Sequence, residues 1–311
     1  MVKIRRVSEL AAISELTDEE FLLKGNSACA GCGATMAIRW VLKILGRDTV
    51  LVMPAGCVSV FQGMFPASAF NVPVVDSSFG AQSSFAAGLA AAYKIKGRRL
   101  KVVTLAGDGG TADIGFHAVS AAAERGDDVL YICYDNEAYM NTGVQRSSLT
   151  PYGAKTGTDP KGKLEWKKNL PLIMAAHNIT YVATASVGYP FDLLRKVKKA
   201  ASLSGFRYIH ILTPCPPGWG SSENLAAELG RLAVRCGIFP LFEVENGRLT
   251  LHKVGNRVAV RRYLELQKRF EGLTDEQIQY IQKRVDDDLR YLELLEKVTS
   301  EVNRAGQVDR T

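Results

Sequence analysis

Apolar, β-branched runs alternate with helical stretches through most of the 311 residues, and that alternation leaves few folds open. Strands are predicted at Thr49 to Met53, Leu100 to Leu105, Val129 to Tyr134, Thr180 to Ala185 and Tyr208 to Leu212, with helices near Ala34 to Leu45, Ser84 to Ile95, Ile114 to Arg125 and Pro190 to Ala201. Such a repeat builds a parallel sheet covered by helices on both faces. Strands buried on both faces read as unbroken apolar runs, as Val-Leu-Tyr-Ile-Cys-Tyr at 129–134 does. The expected fold class is therefore α/β, with a doubly wound, mostly parallel sheet.

Asn136 to Lys168 breaks the pattern, being rich in Gly, Thr, Ser, Pro and Lys and lacking periodicity. It follows a strand end, where α/β sheets bind ligands, so a functional loop is expected. After Gly247 the residues become charged and helix-forming, and Ile278, Ile281, Val285, Leu289 and Leu292 share one helical face. Residues 1–247 are expected to carry the sites and 248–311 to form a helical C-terminal extension. Its apolar face covers either this chain's core or a neighbouring subunit.

The net charge of +7 comes from scattered basic residues, not a stripe with interleaved aromatics, which argues against a nucleic-acid partner. A basic face that meets an acidic redox carrier or a partner subunit is the better use of that charge. No apolar run reaches the roughly 18 residues of a membrane span, and Met1 to Glu19 is charged throughout without an apolar signal core. A cytoplasmic protein is expected.

Leu100 to Ala106 runs into Gly107-Asp108-Gly109-Gly110-Thr111, and a helix follows. Glycines at a strand-to-helix turn let backbone N–H groups approach an anion. Asp108 adds a hard oxygen for a divalent cation, and Asn136 stands at the end of the next strand. In a doubly wound sheet these strand ends share one edge, so Asp108, the amide oxygen of Asn136 and the carbonyl near Ala138 can meet one magnesium ion that also holds two diphosphate oxygens. No Gly-x-Gly-x-x-Gly with a distant acidic residue is present, which argues against a dinucleotide site. The set resembles the diphosphate motif of thiamine-diphosphate enzymes, in which GDG is followed by Asn one strand later.

Six cysteines in a chain of this kind argue for metal or redox chemistry over disulfides. Cys29-Ala-Gly-Cys32 is a knuckle that can point two thiolates at one metal, and Cys57 and Cys215 each follow a predicted strand. One knuckle with two distant single cysteines suits a [4Fe-4S] cluster, with zinc the alternative. Cys133, in a strand, and Cys236, in a helix, are expected to be small core residues.

Together these segments resemble the β subunit of the pyruvate:ferredoxin (2-oxoacid:ferredoxin) oxidoreductase family over about residues 20 to 250. Cys29-Ala-Gly-Cys-Gly33, Gly107 to Gly115, Tyr134 to Gly143, Tyr181 to Ser186 and Leu212-Thr-Pro-Cys-Pro216 carry the likeness. The resemblance implies that Cys29, Cys32, Cys57 and Cys215 hold a [4Fe-4S] cluster, that Gly107, Asp108, Gly109, Gly110, Thr111, Asn136 and Ala138 hold thiamine diphosphate and Mg2+, and that Asn141 faces the substrate. It implies oxidative decarboxylation of a small 2-oxoacid, with electrons leaving singly through the cluster to ferredoxin. It also implies partner subunits of α, γ and δ type, one of them supplying the glutamate that activates the cofactor, and coenzyme A if the substrate is pyruvate. Val75-Asp-Ser-Ser-Phe-Gly-Ala-Gln82 departs from the pattern of pyruvate-using members and admits oxalate. The competing readings are a non-redox thiamine-dependent decarboxylase or synthase and a zinc-binding assembly protein.

Overall fold

The computed structural model describes residues 16–308, residues 303–308 by backbone alone; Met1 to Glu15, most of the charged leading stretch, lie outside the described residues. The strands are β1 (Thr49–Pro54), β2 (Val74–Ser77), β3 (Lys101–Gly107), β4 (Leu130–Asp135), β5 (Tyr181–Ser186), β6 (Arg207–Leu212), β7 (Phe242–Glu245) and β8 (Arg248–Leu251). They form one sheet in the order β2-β1-β3-β4-β6-β5-β7-β8, parallel through the first six and antiparallel at β7 and β8. This is the α/β sheet expected. β2, β7 and β8 are four-residue strands with too little apolar pattern to announce themselves.

Alternation of side chains along each strand divides the core in two. Leu51 and Met53 of β1 and Leu130 and Ile132 of β4 face one layer, made by helices α1 (Gly33–Leu45) and α7 (Pro190–Ser202). Val52, Tyr131 and Cys133 face the other, with α3 (Gln82–Ile95), α5 (Phe116–Arg125) and α6 (Leu170–Ala175). The remaining α-helical pieces before the last helix are α2 (Cys57–Gln62), α4 (Asp108–Ala112), α8 (Pro216–Trp219), α9 (Ala226–Cys236) and α10 (Arg261–Leu264), with 3-10 turns at Glu223–Leu225 and Lys268–Phe270. The single helix predicted from Ile114 starts instead at Phe116, because the Gly-Asp-Gly-Gly turn winds its own short helix first.

The change of composition after Gly247 falls in the turn of the β7–β8 hairpin. The last helix, α11 (Asp275–Val308), packs on its own chain: Ile281 and Val285 join Trp219, Leu229 and Tyr263 in a third apolar cluster, and Leu292 reaches the second. It also covers the edge strand. Leu249 N–H donates to Thr299 Oγ1 (3.1 Å) and Leu251 N–H to Glu296 Oε1 (2.8 Å), occupying donors that an open edge would offer to another chain. Among the described residues no helix is long and apolar enough to cross a membrane.

Ile281 is 1% exposed, so Ile281→Ala is expected to cost about 2 to 5 kcal/mol, read as a lower urea midpoint. Val298→Ala, at a position 55% exposed on the same helix, is expected to stay within about 0.5 kcal/mol. Equal effects would show that α11 does not dock through this face.

Candidate functional site

Four neighbouring parallel strands deliver the predicted site residues. β1 ends before Cys57, β3 before Asp108, β4 before Asn136 and β6 before Cys215, and the sheet order sets these strands side by side. Parallel pairing puts their C-terminal ends on one edge, so residues far apart in sequence meet there.

Asp108 is buried, and its Oδ2 accepts a hydrogen bond from Ser147 Oγ at 2.5 Å. The side-chain amide of Asn136 stands against Asp108 and Ala138: its nitrogen donates to Asp108 Oδ1 (2.9 Å) and to the Ala138 carbonyl oxygen (3.0 Å), the arrangement suited to the cation-free protein. Turned over, the amide would present its oxygen beside both, at about the 3.0 Å that separates adjacent ligands of an octahedral magnesium ion with bonds of about 2.1 Å. Burial and the nearby Asp135 carboxylate push the Asp108 pKa well above the usual carboxylate range, a cost that a bound cation removes.

Asp108, Asn136 and Ala138 line a cavity of about 290 Å3, together with Gly107, Gly109, Gly110, Asn141, Cys57 and Phe79. Gly109 admits no side chain: a Cβ there would lie 2.4 Å from the Tyr139 ring. Tyr139 OH donates to Asp113 Oδ2 at 3.0 Å, which ties the Asn136–Lys168 loop to the turn after α4. Thr111 is placed beneath the turn and does not line the cavity. Its hydroxyl donates to the Gly107 carbonyl (2.7 Å) and accepts from Tyr131 OH (3.1 Å).

Cys29, Cys32, Cys57 and Cys215 border a second cavity of about 80 Å3, and Cys57, Asn136 and Asn141 line both. The knuckle forms because Gly31 takes φ 70°, with no room for a side chain against the Glu223 carbonyl, and Gly33 N–H donates to the Pro214 carbonyl at 3.1 Å. That bond fastens Cys29 and Cys32 to the segment carrying Cys215. Burial, then the neighbouring thiols, push Cys57 up to about 12, and burial pushes Cys215 up to about 11. Thiols so placed become thiolates only against positive charge, which a metal cluster provides. Among the described residues no three His, Cys, Asp or Glu side chains stand in single-ion geometry; these four surround a space. Cys133 and Cys236 are fully buried in the core.

Behind the oxygen set runs a buried polar chain. Tyr208 OH meets His210 Nδ1 (2.7 Å), His210 Nε2 meets Asp135 Oδ2 (2.8 Å), and Lys167 Nζ bridges Asp135 Oδ2 (3.1 Å) and Glu137 Oε1 (2.8 Å). Burial alone would raise the Asp135 pKa, yet Lys167 and His210 outweigh it and hold it down to about 2. Ser147, Lys167 and Tyr139 were not among the predicted site residues: Ser147 and Lys167 sit in no motif and meet the site only through loop closure, and Tyr139, inside the Tyr134–Gly143 segment, has nothing local to show that its hydroxyl reaches Asp113. A further cavity, of about 150 Å3, lies under α11 between Trp166, Phe239 and Val285, and Lys167 and His210 of the polar chain line it too.

Such a sheet, with this oxygen set at the ends of adjoining strands, defines a thiamine-diphosphate-binding domain. The family model "Thiamine pyrophosphate enzyme, C-terminal TPP binding domain" matches residues 54–211. The chain is 50% identical over 280 residues to the pyruvate synthase subunit PorB of Methanothermobacter thermautotrophicus, covering 88% of this chain and 97% of that one. It is 46% identical over 296 residues to PorB of Methanocaldococcus jannaschii, covering 91% and 99%. It is 45% identical over 294 residues to the ketoisovalerate oxidoreductase subunit VorB of Pyrococcus abyssi, covering 90% and 94%. The chain belongs to the β subunits of the 2-oxoacid:ferredoxin oxidoreductases. A 2-oxoglutarate:ferredoxin oxidoreductase from Magnetococcus marinus shares the fold, with a TM-score of 0.55 at 23% identity over 71% of this chain and 80% of that one.

In the native chain stripped of metal, a thiol reagent is expected to modify the exposed Cys29 first and to leave Cys133 and Cys236 untouched until denaturant is added. Peptide mapping by mass spectrometry reads the order. Cys133 reacting as fast as Cys29 would contradict the placement.

Proposed function

We propose that this chain holds thiamine diphosphate, Mg2+ and one [4Fe-4S] cluster within a cytoplasmic complex that oxidatively decarboxylates a small 2-oxoacid and passes the electrons to ferredoxin. One observation carries the reading: Asp108, the Asn136 side-chain amide and Ala138 converge on a cavity that shares Cys57 and Asn141 with the four-thiol cavity. Bound thiamine diphosphate would supply the carbon nucleophile and the electron sink for decarboxylation.

The chain's own residues position and shield that chemistry. Asp108, Asn136 and the Ala138 carbonyl would hold the cation. Gly107, Gly109 and Gly110 leave room for the diphosphate, with Thr111 bracing the turn from below. Cys29, Cys32, Cys57 and Cys215 would ligate the cluster, with Cys57 on the wall between the two spaces. Asn141, which lines both cavities, would donate a hydrogen bond to the substrate. A partner subunit would supply the activating glutamate, and the basic surface suits an acidic ferredoxin.

Pyruvate, with coenzyme A as acceptor, is the expected substrate by likeness to the PorB relatives. Phe79 of the segment Val75–Gln82 lines the cofactor cavity, so substitutions there bear directly on substrate size. One methylene in such a pocket changes selectivity by only about 1 to 3 kcal/mol, which keeps branched 2-oxoacids and oxalate in the assay panel.

Anaerobically purified complex is expected to absorb broadly near roughly 400 nm and to bleach with dithionite. It is expected to reduce ferredoxin with pyruvate and coenzyme A, faster than with 3-methyl-2-oxobutanoate or oxalate. A colourless, zinc-loaded chain would remove the redox role, and oxalate turnover without coenzyme A would reassign the substrate. Asn141→Ala is expected to slow decarboxylation by about 100-fold with the visible spectrum retained, and an unchanged rate and KM would remove Asn141 from the site.

A further inference from the structure

Glu137 sits between two of the three oxygen donors, at φ 68°, a conformation that residues other than glycine rarely adopt. The side-chain amide of its neighbour Asn136 and the carbonyl oxygen of its neighbour Ala138 lie 3.0 Å apart, and the same amide lies 2.9 Å from Asp108 Oδ1. Glu137 is held from every side: its N–H donates to Asp135 Oδ1 (2.9 Å), its carbonyl accepts from Thr150 Oγ1 (2.7 Å), and its carboxylate accepts from Lys167 (2.8 Å) and Arg269 (2.6 Å).

Arg269 reaches the same short segment a second way. Its guanidinium lies 3.9 Å over the Trp219 ring, and the Trp219 indole N–H donates to the Asn136 carbonyl at 2.8 Å. Gln267 Oε1 accepts from Arg269 Nε at 2.9 Å and fixes the guanidinium plane. Arg269, Trp219 and Glu137 are all buried. One cation from the segment after the sheet thus bears on both ends of the Asn136–Glu137 peptide.

We propose that Arg269 is a positioning residue for the divalent cation. It holds Glu137 in its left-handed turn, and the Asn136 carbonyl through Trp219, so that the oxygens stand at coordination spacing. The inference rests on the cofactor reading above and adds to it the part of the chain that keeps the site in shape. A buried ion pair that only stabilised the fold would leave cation affinity alone, whereas a positioning pair changes it.

The test uses the full chain assembled with its partner subunits and reads the Mg2+ concentration that half-saturates thiamine diphosphate binding by calorimetry, beside the melting temperature. Glu137→Ala and Glu137→Gly both remove the carboxylate and differ in their tolerance of a positive φ. Glu137→Ala and Arg269→Met are each expected to raise half-saturating Mg2+ by about 10- to 100-fold, and Glu137→Gly by no more than about threefold. The double variant Arg269→Met with Glu137→Gly is expected to return to the Glu137→Gly value, since glycine holds the turn without the clamp. Equal values for the Ala and Gly variants, or no rescue in the double variant, would overturn the inference. Where Arg269→Met does not assemble, the Ala and Gly pair decides alone. Wild-type protein that binds thiamine diphosphate without Mg2+ dependence, or not at all, sinks the cofactor reading and this inference with it. Wild-type binding with no separation among the variants sinks the inference only.

Discussion

The parallel hydrogen-bonded register of β1, β3, β4 and β6 is the constraint on which the rest depends. Pairing of Val52 with Thr104, Gly107 with Tyr134 and Asp135 with Leu212 brings the four strands to an end together. A strand in a parallel sheet cannot slip by one residue without turning its apolar set to the wrong layer, and here both layers are packed. The register therefore fixes where Cys57, Asp108, Asn136 and Cys215 leave the sheet. Two cavities with shared walls follow from that geometry.

Electrostatics at this edge is arranged in alternating sign. Asp108 and Asp135 are both buried, and two neighbouring carboxylates cannot both be ionised cheaply in such a place. Asp135 is served from within the protein by Lys167 and His210. Asp108 accepts from the Ser147 hydroxyl on one oxygen, and its other oxygen faces the Asn136 side-chain amide, with no cationic side chain in direct contact among the described residues. The protein satisfies one acid from within, and a cation bound at its neighbour would satisfy the other. The thiol cavity follows the same logic, with the desolvated sulfurs of Cys57 and Cys215 bordering one space with Cys29 and Cys32.

Motif and periodicity made much of this legible. The long strands β1, β3, β4, β5 and β6 are dense enough in apolar, β-branched residues to read directly, and glycines around Asp108 and Cys32 mark turns because only small residues tolerate the approach. The short strands β2, β7 and β8 were not legible, since four residues of mixed character carry no period. Nor were the supporting groups. Ser147 is 39 residues from Asp108, Lys167 is 30 from Glu137, and Arg269 is 132 from Glu137, and nothing local in any of them signals a partner at that distance.

The sequence by itself determined the class of sheet, the strand ends that bear chemistry and the residue types at those ends, because period, turn glycines and thiol spacing are local properties. Only the tertiary structure decided that the Asn136 side-chain amide meets both Asp108 Oδ1 (2.9 Å) and the Ala138 carbonyl oxygen (3.0 Å), that Thr111 turns inward, and that the charged tail returns to clamp Glu137. Those outcomes rest on burial and long-range pairing. Both are energies of the whole packed chain, which no short window of residues contains.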